Sequence, residues 1–597
     1  MRLFGRRRKL QQIHEIAPDE VFLDSSNLPG LNATQFEGRV ERPLSSRSIA
    51  MVGIVFIILS AVFGGRAYFL QVTHGARYAE ISKNNTLRRS VIFATRGVIY
   101  DRTGFELAWN TPQESEIHST PSTLSTSSGQ VDSSPEGRGS SRAGQAATSS
   151  PYALRAYTSL PGLSHLIGYV KYPKADAKGN WWQEEYIGVS GTEFVFDSIL
   201  AGENGSSQVE TDAHGRVERK NIVTPPRDGD ELRLSINADI QSKLYTTLWA
   251  HAQKHNFQGG AAVIMDVHTG EVIALTSFPE YDHTAFTNGD RSIIQKQSTS
   301  VSKPLLNRAV SGLYAPGSII KPIFAAAALN EKIISPDKQI NSVGKITIPN
   351  PYDPDKPSIY RDWTVHGWVD MRTAIAVSSD EYFYTIGGGY GGQQGLGIAR
   401  LDSYAKLFGL GSTTGIALNG EQDGIIPTPE WKEQVFPGDP WRLGNTYHTA
   451  IGQYGFQVTP IQAVRFTAAI GNGGKLLTPH LIASSTPEYT DIGIPDEYLQ
   501  IVREGMRLAV TSDRHDATAK SLYIGGIKIA GKTGTAQVGA RNEWMNSWSV
   551  GFWPADHPRY AYAVVLERAP AGTAAGASPA LQPFFYWLIA NHPEYLE

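Results

Sequence analysis

The sequence predicts an α/β (α+β) protein: one large domain with a single sheet covered by helices on both sides, a β-rich segment before it, and one membrane-spanning helix. Three observations carry this. Ile49–Gly65 is an uncharged run of 17 residues. Two strand candidates at 260–278 and three at 526–568 enclose a helix-rich middle. Hydrophobic residues make up 41% and charged residues 19% of 597, a globular composition with room for three or four folded units. A formal net charge of −3 offers no basic excess, so nucleic acid is not an expected partner. The chain has no cysteine, which excludes disulfides and thiolate metal sites.

Taken in order, residues 1–46 read as a basic cytoplasmic tail and 47–72 as a single-pass anchor. Arg2, Arg6, Arg7, Arg8, Lys9, Arg39, Arg42 and Arg47 precede the apolar run, so the positive-inside bias keeps the N-terminus in the cytoplasm and everything after 72 outside. Residues 73–228 follow as a β-prone unit. Strands are expected around Val91–Phe93 and Val98–Tyr100, with a turn at Arg102–Gly104. The stretch 111–150 is built from Ser, Thr, Gly, Ala and Pro and cannot bury enough apolar surface to fold, so it reads as a disordered linker. Order is expected to resume at Tyr152, with a β-rich segment running from there through Gly188–Gly202 to about Arg227.

The domain at 229–597 opens with two strand candidates separated by His268-Thr269-Gly270, which read as a hairpin. Gln462–Gly474 is an example of the helices that follow, ended by its glycines. Three strand candidates, 526–538, 546–554 and 560–568, precede a final helix.

Three short motifs carry chemistry. The first is Tyr314-Ala-Pro-Gly-Ser318-Ile-Ile-Lys321-Pro322. Its S-x-x-K pattern also occurs at Ser300, Ser335, Ser342 and Ser403, so context must separate it. Pro316-Gly317 is a turn signal and 319–332 a helical run. That puts the Ser318 hydroxyl at a helix N-terminus and Lys321 one turn on, on the same face. The second is Ser378-Ser379-Asp380, 60 residues after Ser318. The third, Lys532-Thr533-Gly534-Thr535, lies in an extended segment. An edge of this kind can pair with a substrate backbone, and its glycines allow close approach.

In this order and spacing the motifs resemble those of the penicillin-recognising serine acyltransferases. The segments 96–104, 165–170 and 188–197 are similar to pedestal motifs of class B penicillin-binding proteins. The segments 404–432 and 450–462 are similar to their transpeptidase domain. The run Ser378-Ser-Asp-Glu-Tyr-Phe-Tyr384 resembles the elongation-type penicillin-binding protein 2 branch. The resemblance implies an elongated pedestal and a central antiparallel sheet. It implies attack by Ser318 on the D-Ala-D-Ala end of a peptidoglycan stem peptide and inhibition by β-lactams. Lys321 would be the base, Ser378 a proton relay, Asp380 a partner for a lysine ammonium, and Lys532, Thr533, Gly534 and Thr535 the carboxylate-binding edge. The backbone N–H groups of Ser318 and Thr535 would form the oxyanion hole. A membrane glycosyltransferase of the SEDS family is the partner implied.

Two departures from that pattern stand out. The head subdomain of penicillin-binding protein 2 is missing where this chain has its Ser/Thr-rich stretch. Some relatives hold zinc with two Asp, a His and a Cys. Asp353, Asp355, Asp362 and His366 lie in the comparable region but no Cys does, so no metal or cofactor is expected. Alternatives on the same fold are a D-Ala-D-Ala carboxypeptidase and a β-lactam sensor or hydrolase.

Overall fold

The computed structural model describes residues 46–79, 87–111, 151–177, 179–211, 217–350, 353–483 and 486–597. The tail and almost all of the linker lie outside the described residues, and with them the segment in which a head subdomain would sit. Two compact units are present: Met1–Arg88 with Glu210–Arg216, and Arg89–Val209 with Val217–Glu597.

In the first unit an α-helix runs over Ser46–Tyr68 and widens into a π turn at Phe69–Thr73. Ile49–Thr73 is long and apolar enough to cross a membrane. Its large side chains stand exposed, Phe56 and Ile57 by 70% each, a surface that suits lipid rather than water.

In the second unit the N-terminal part is held by a buried ion network. Glu193 accepts from Arg96 Nε at 2.5 Å and from Arg155 Nε at 2.7 Å, and all three side chains are fully enclosed. Asp197 takes a second nitrogen of Arg96 at 2.7 Å. Burial opposes the Glu193 charge, but the two guanidiniums outweigh it and hold the carboxyl below its usual range. Arg96 lies in one of the pedestal-like segments and Glu193 in another, so the two meet through charge.

The run 188–202 departs from expectation. After the strand Ile187–Gly188 it forms two short helices, Gly191–Val195 and Asp197–Leu200, and the next strands are Gly205–Thr211 and Val217–Thr224. The cause is packing. Gly191, at φ +60°, lies so close to Gly168 that a Cβ would sit 2.6 Å from its nitrogen, and the turn started there carries Glu193 inward. A four-stranded sheet stands beside this network in the order Leu232–Arg233, Ile99–Tyr100, Glu106–Thr111, Leu154–Tyr157.

The larger part is built on five antiparallel strands: β1 (Gly259–Asp266), β2 (Val272–Phe278), β3 (Ala530–Val538), β4 (Trp544–Trp553) and β5 (Tyr560–Pro570). Their order is β2-β1-β5-β4-β3, so β1 and β5 share one ladder although paired residues such as Gly259 and Glu567 stand far apart in sequence, and β3 is an edge. β1 and β2 are buried at every position, because both faces are covered. Ala262 and Ile264 pack toward helices α1 (Ala238–Lys254) and α8 (Ala577–Asn591). Ala261, Val263 and Met265 join the core that includes α2 (Lys321–Asn330) and α6 (Pro460–Gly471). Each fully buried Ile or Leu contributes roughly 1.5–3 kcal/mol here. The expected hairpin, the three late strands and the closing helix are all present.

The Arg96–Glu193–Arg155 network yields a prediction. Glu193→Gln leaves the buried Arg155 guanidinium without a counter-charge and Arg96 with Asp197 alone, and breaking such a network costs about 3–5 kcal/mol. Urea unfolding of the detergent-solubilised protein measures this. A loss under about 1 kcal/mol would show that water reaches the arginines.

Candidate active site

The three motifs converge on one cleft of about 1030 Å³, whose lining includes Ser318, Ser378, Asp380, Thr533, Gly534 and Thr535. Each motif is placed by a local feature of its sequence.

Ser318 lies in a 3₁₀ turn, Gly317–Ile320, that leads into α2. The first turn is not α-helical as the sequence suggested, and Pro322 explains why. It has no N–H to donate to the Ser318 carbonyl, so the Lys321 N–H takes that carbonyl instead, one residue closer. Gly317 has φ +53°, and a Cβ there would meet the Thr535 carbonyl at 2.7 Å. A Cβ on Gly534 would strike Ile319 and the Pro316 carbonyl, both at 2.9 Å. The two glycines thus let the nucleophile turn press against edge strand β3, next to the Thr535 backbone. The turn is clamped from behind as well. Trp548 Nε1 donates to the Ala315 carbonyl at 3.0 Å. The Tyr314 hydroxyl donates to Glu567 at 2.7 Å, and Glu567 also pairs with Arg308 at 2.8 Å.

The Ser378-Ser379-Asp380 run breaks one helix into two, α3 (Met371–Val377) and α4 (Asp380–Gly388). Ser378 closes α3 in a left-handed conformation, φ 59° and ψ 38°. Non-glycine residues adopt this only when their surroundings require it. Here the conformation turns both its carbonyl and its hydroxyl toward Lys321. Ser379 caps α4, accepting from the Tyr382 N–H at 3.2 Å.

Both lysines are fully buried. Lys321 Nζ donates to Asp380 at 2.6 Å, to the Ser378 carbonyl at 2.7 Å and to the Ser378 hydroxyl at 3.3 Å, which uses all three donors of an ammonium. It also lies 5.4 Å from the centre of the Phe383 ring. Lys532 Nζ donates to Ser378 Oγ and to the Thr533 carbonyl, both at 2.8 Å. Burial and the nearby charge of Lys321 drive Lys532 well below the usual lysine range, and Asp380 offsets this only in part. Burial likewise raises the Asp380 carboxyl against the opposing pull of Lys321. Among the described residues no side chain hydrogen-bonds the Ser318 hydroxyl.

Behind the Ser378 turn lies a bracket that sequence reasoning missed. Asp362 accepts from the Ser379 hydroxyl at 2.8 Å and from the Glu381 N–H at 2.9 Å. His366 faces Asp362 at 3.4 Å through Nε2, too long for a hydrogen bond, and bonds Asp516 at 2.7 Å through Nδ1. Arg514 in turn holds Asp516 at 2.8 Å and the His366 carbonyl at 2.8 Å. Burial works against the charge of His366, but Asp362 and Asp516 outweigh it and raise its pKa above 6.5. Burial also opposes the Asp362 charge, yet His366 and Lys321 hold that carboxyl at about 2. The His366 and Asp362 side chains meet as a zinc site would need, but Asp353 pairs with Lys356 instead, at 2.9 Å. Among the described residues no group of three or more His, Cys, Asp or Glu could hold a metal, so the donors here do not fit tetrahedral zinc. Asp516 lies 150 residues from His366, and no local pattern announces the pair.

Comparison with known proteins agrees with this geometry. The penicillin-binding protein transpeptidase domain family matches residues 260–589, and the penicillin-binding protein dimerisation domain family matches 144–234. Peptidoglycan D,D-transpeptidase MrdA of Acinetobacter baumannii is 30% identical, with 94% of this chain and 90% of that protein aligned. MrdA of Haemophilus influenzae is 29% identical, covering 93% and 94%. Among solved structures, Pseudomonas aeruginosa PBP2 in complex with WCK 5153 superimposes with a TM-score of 0.66 at 28% identity, covering 85% of this chain and 98% of that one. Helicobacter pylori PBP2 in complex with MreC gives 0.65 at 25% identity, covering 85% and 100%. With its transpeptidase match spanning more than half of its length, the chain belongs to the penicillin-binding protein transpeptidase family.

Proposed function

We propose that this protein is a peptidoglycan D,D-transpeptidase of the elongation type, a β-lactam target that cross-links stem peptides through an ester on Ser318. The observation that carries the reading is the Ser378 hydroxyl, which lies between two buried amines, 3.3 Å from Lys321 and 2.8 Å from Lys532.

A serine hydroxyl needs a base within reach. At rest, Asp380 balances the charge on Lys321, while Lys532 has no carboxylate in contact and is driven toward its neutral form. A substrate carboxylate bound at Thr533 and Thr535 brings negative charge beside Lys532 and favours its protonation. The proton passes from Lys321 through Ser378 Oγ to Lys532. Lys321 is then neutral and takes the proton of Ser318, three residues before it. The Ser318 oxygen bonds the penultimate D-Ala carbonyl carbon as the amide C–N bond breaks, and the terminal D-Ala leaves with a proton relayed through Ser378. The backbone N–H groups of Ser318 and Thr535 receive the developing oxyanion, a contribution of about 2.7–4 kcal/mol per donor where one has been removed in other enzymes. In the second half an acceptor amine attacks the ester carbonyl, its N–C bond forms as the C–O bond breaks, and the proton returns to Ser318.

The domain plan that accompanies this reading is a cytoplasmic tail at 1–46, an anchor at 47–72, a pedestal at 73–228 and a catalytic domain at 229–597. The anchor is single-pass in the inner membrane, with the catalytic domain on its outer face, as the basic residues before it favour. A SEDS-family glycosyltransferase is the proposed polymerase partner.

Three outcomes test the site. Ser318→Ala abolishes labelling by a fluorescent penicillin on a gel, with circular dichroism unchanged; mass spectrometry of the wild-type adduct maps the drug to residue 318, and a mark on another serine ends the assignment. Removing the relay in Ser378→Ala, or the base in Lys321→Ala, slows acylation by about 10²–10⁴-fold in stopped-flow measurements. Near-normal acylation of Lys321→Ala would mean another base acts. The third outcome concerns the His366 bracket. Because its folded pKa is raised, His366 stabilises most below pH 6.5, and the contribution fades as pH rises through the folded value. The Tm advantage of wild type over His366→Asn is therefore largest at acid pH and shrinks toward pH 9; a gap that widens with pH would reverse the sign.

A further inference from the structure

Arg361 stands out when the charges facing the cleft are paired off. The ionisable side chains in its lining are Arg361, Asp362, Asp380, Tyr384, His448 and Tyr454. Asp362 has the raised imidazole of His366 behind it, and Asp380 takes Lys321 at 2.6 Å. Burial lowers the pKa of His448 and leaves it uncharged at neutral pH. Arg361 is exposed, and among the described residues no carboxylate lies within ion-pair distance of it.

Its setting adds positive charge rather than cancelling it. Arg361 ends the strand Ser358–Arg361, directly opposite Lys345 of the paired strand Lys345–Ile348. Like charges in that register repel and are unfavourable by themselves. The backbone at this point is tied to the catalytic helix: the Tyr384 hydroxyl donates to the Arg361 carbonyl at 3.3 Å, and the next residue, Asp362, holds Ser379. Arg361 thus belongs to the wall that carries Ser378 and Asp380, whereas the edge strand with Thr533 and Thr535 is a separate element.

We propose that Arg361 is the specificity residue for the acceptor strand, and that it binds a carboxylate on the same carbon as the attacking amine. This rests on the transpeptidase reading above. The incoming amine must give up its proton to Lys321 or Ser378, so it approaches along their wall, and a substituent on its carbon faces Arg361. A guanidinium pairs with a carboxylate through two parallel hydrogen bonds, which makes it selective for that group. Diaminopimelate carries a carboxylate at this position; lysine carries only hydrogen there. The acceptor assigned is therefore the diaminopimelate type.

The experiment uses full-length protein in detergent, with active sites counted by penicillin titration. Acyl-enzyme is formed from a D-Ala-D-Ala pentapeptide. Three acceptor tripeptides then compete at equal concentration: one with meso-diaminopimelate, the same with that carboxylate amidated, and one with lysine. The expected result is at least tenfold faster transfer to the free carboxylate than to either other acceptor. In Arg361→Gln that preference falls below threefold. In Arg361→Lys, which keeps the charge but loses the fork, it falls at least threefold, and this variant decides the matter if the first does not fold. Equal use of all three acceptors by wild type overturns the proposal. So does a preference that survives either substitution, including one in which all rates drop in proportion. Failure of wild type to acylate at all appears before any acceptor is added, and it removes the transpeptidase reading along with this one.

Discussion

The site depends on placing two amines, Lys321 and Lys532, in the interior of the protein with a single carboxylate in contact, Asp380 on Lys321. Two buried ammonium ions beside one anion are unfavourable, because burial disfavours charge and like charges repel. Burial and the charge of Lys321 therefore drive Lys532 toward its neutral form. The Ser378 hydroxyl is the group through which the remaining proton can change owner. The surrounding structure serves this condition. The left-handed turn at Ser378 aims two oxygens at Lys321, the cap at Ser379 starts the helix that carries Asp380, and the Asp362–His366–Asp516 bracket holds that turn from behind.

Support of this kind needs a rigid frame, and the five-stranded sheet supplies it. Covering both faces lets β1 and β2 lie buried along their whole length, while β3 stays at the edge with its outer side against the nucleophile turn. The N-terminal part of the same compact unit uses a different device, a buried carboxylate shared by two arginines, to lock segments that are far apart in sequence.

Much of this was legible in the sequence where the physics is local. Ser318 and Lys321 are three residues apart in a turn-then-helix context, and that context separated them from four accidental matches. The late strands and the closing helix announced themselves by composition and length. Other features were not legible, because their causes lie elsewhere in the chain. The segment 188–202 read as part of a β-rich stretch, yet the contact between Gly191 and Gly168 and the burial of Glu193 made it helical. A proline so near the start of a helix is compatible with helix by local rules, but the missing N–H of Pro322 changed the type of the first turn. The partners of His366 arrive from residues 514–516, and the unpaired state of Arg361 is visible only when every neighbouring charge is placed.

The bond from the Lys321 N–H to the Ser318 carbonyl has one more consequence. It closes a ring of four residues whose first member bears the reacting alcohol and whose last bears the amine. A ring this short has almost no slack, so the two groups share a common mount. Breathing of the helix beyond it can shift the pair as a body without altering their spacing. Alignment with an incoming peptide can then fluctuate while the backbone spacing between the alcohol-bearing and amine-bearing residues stays constant.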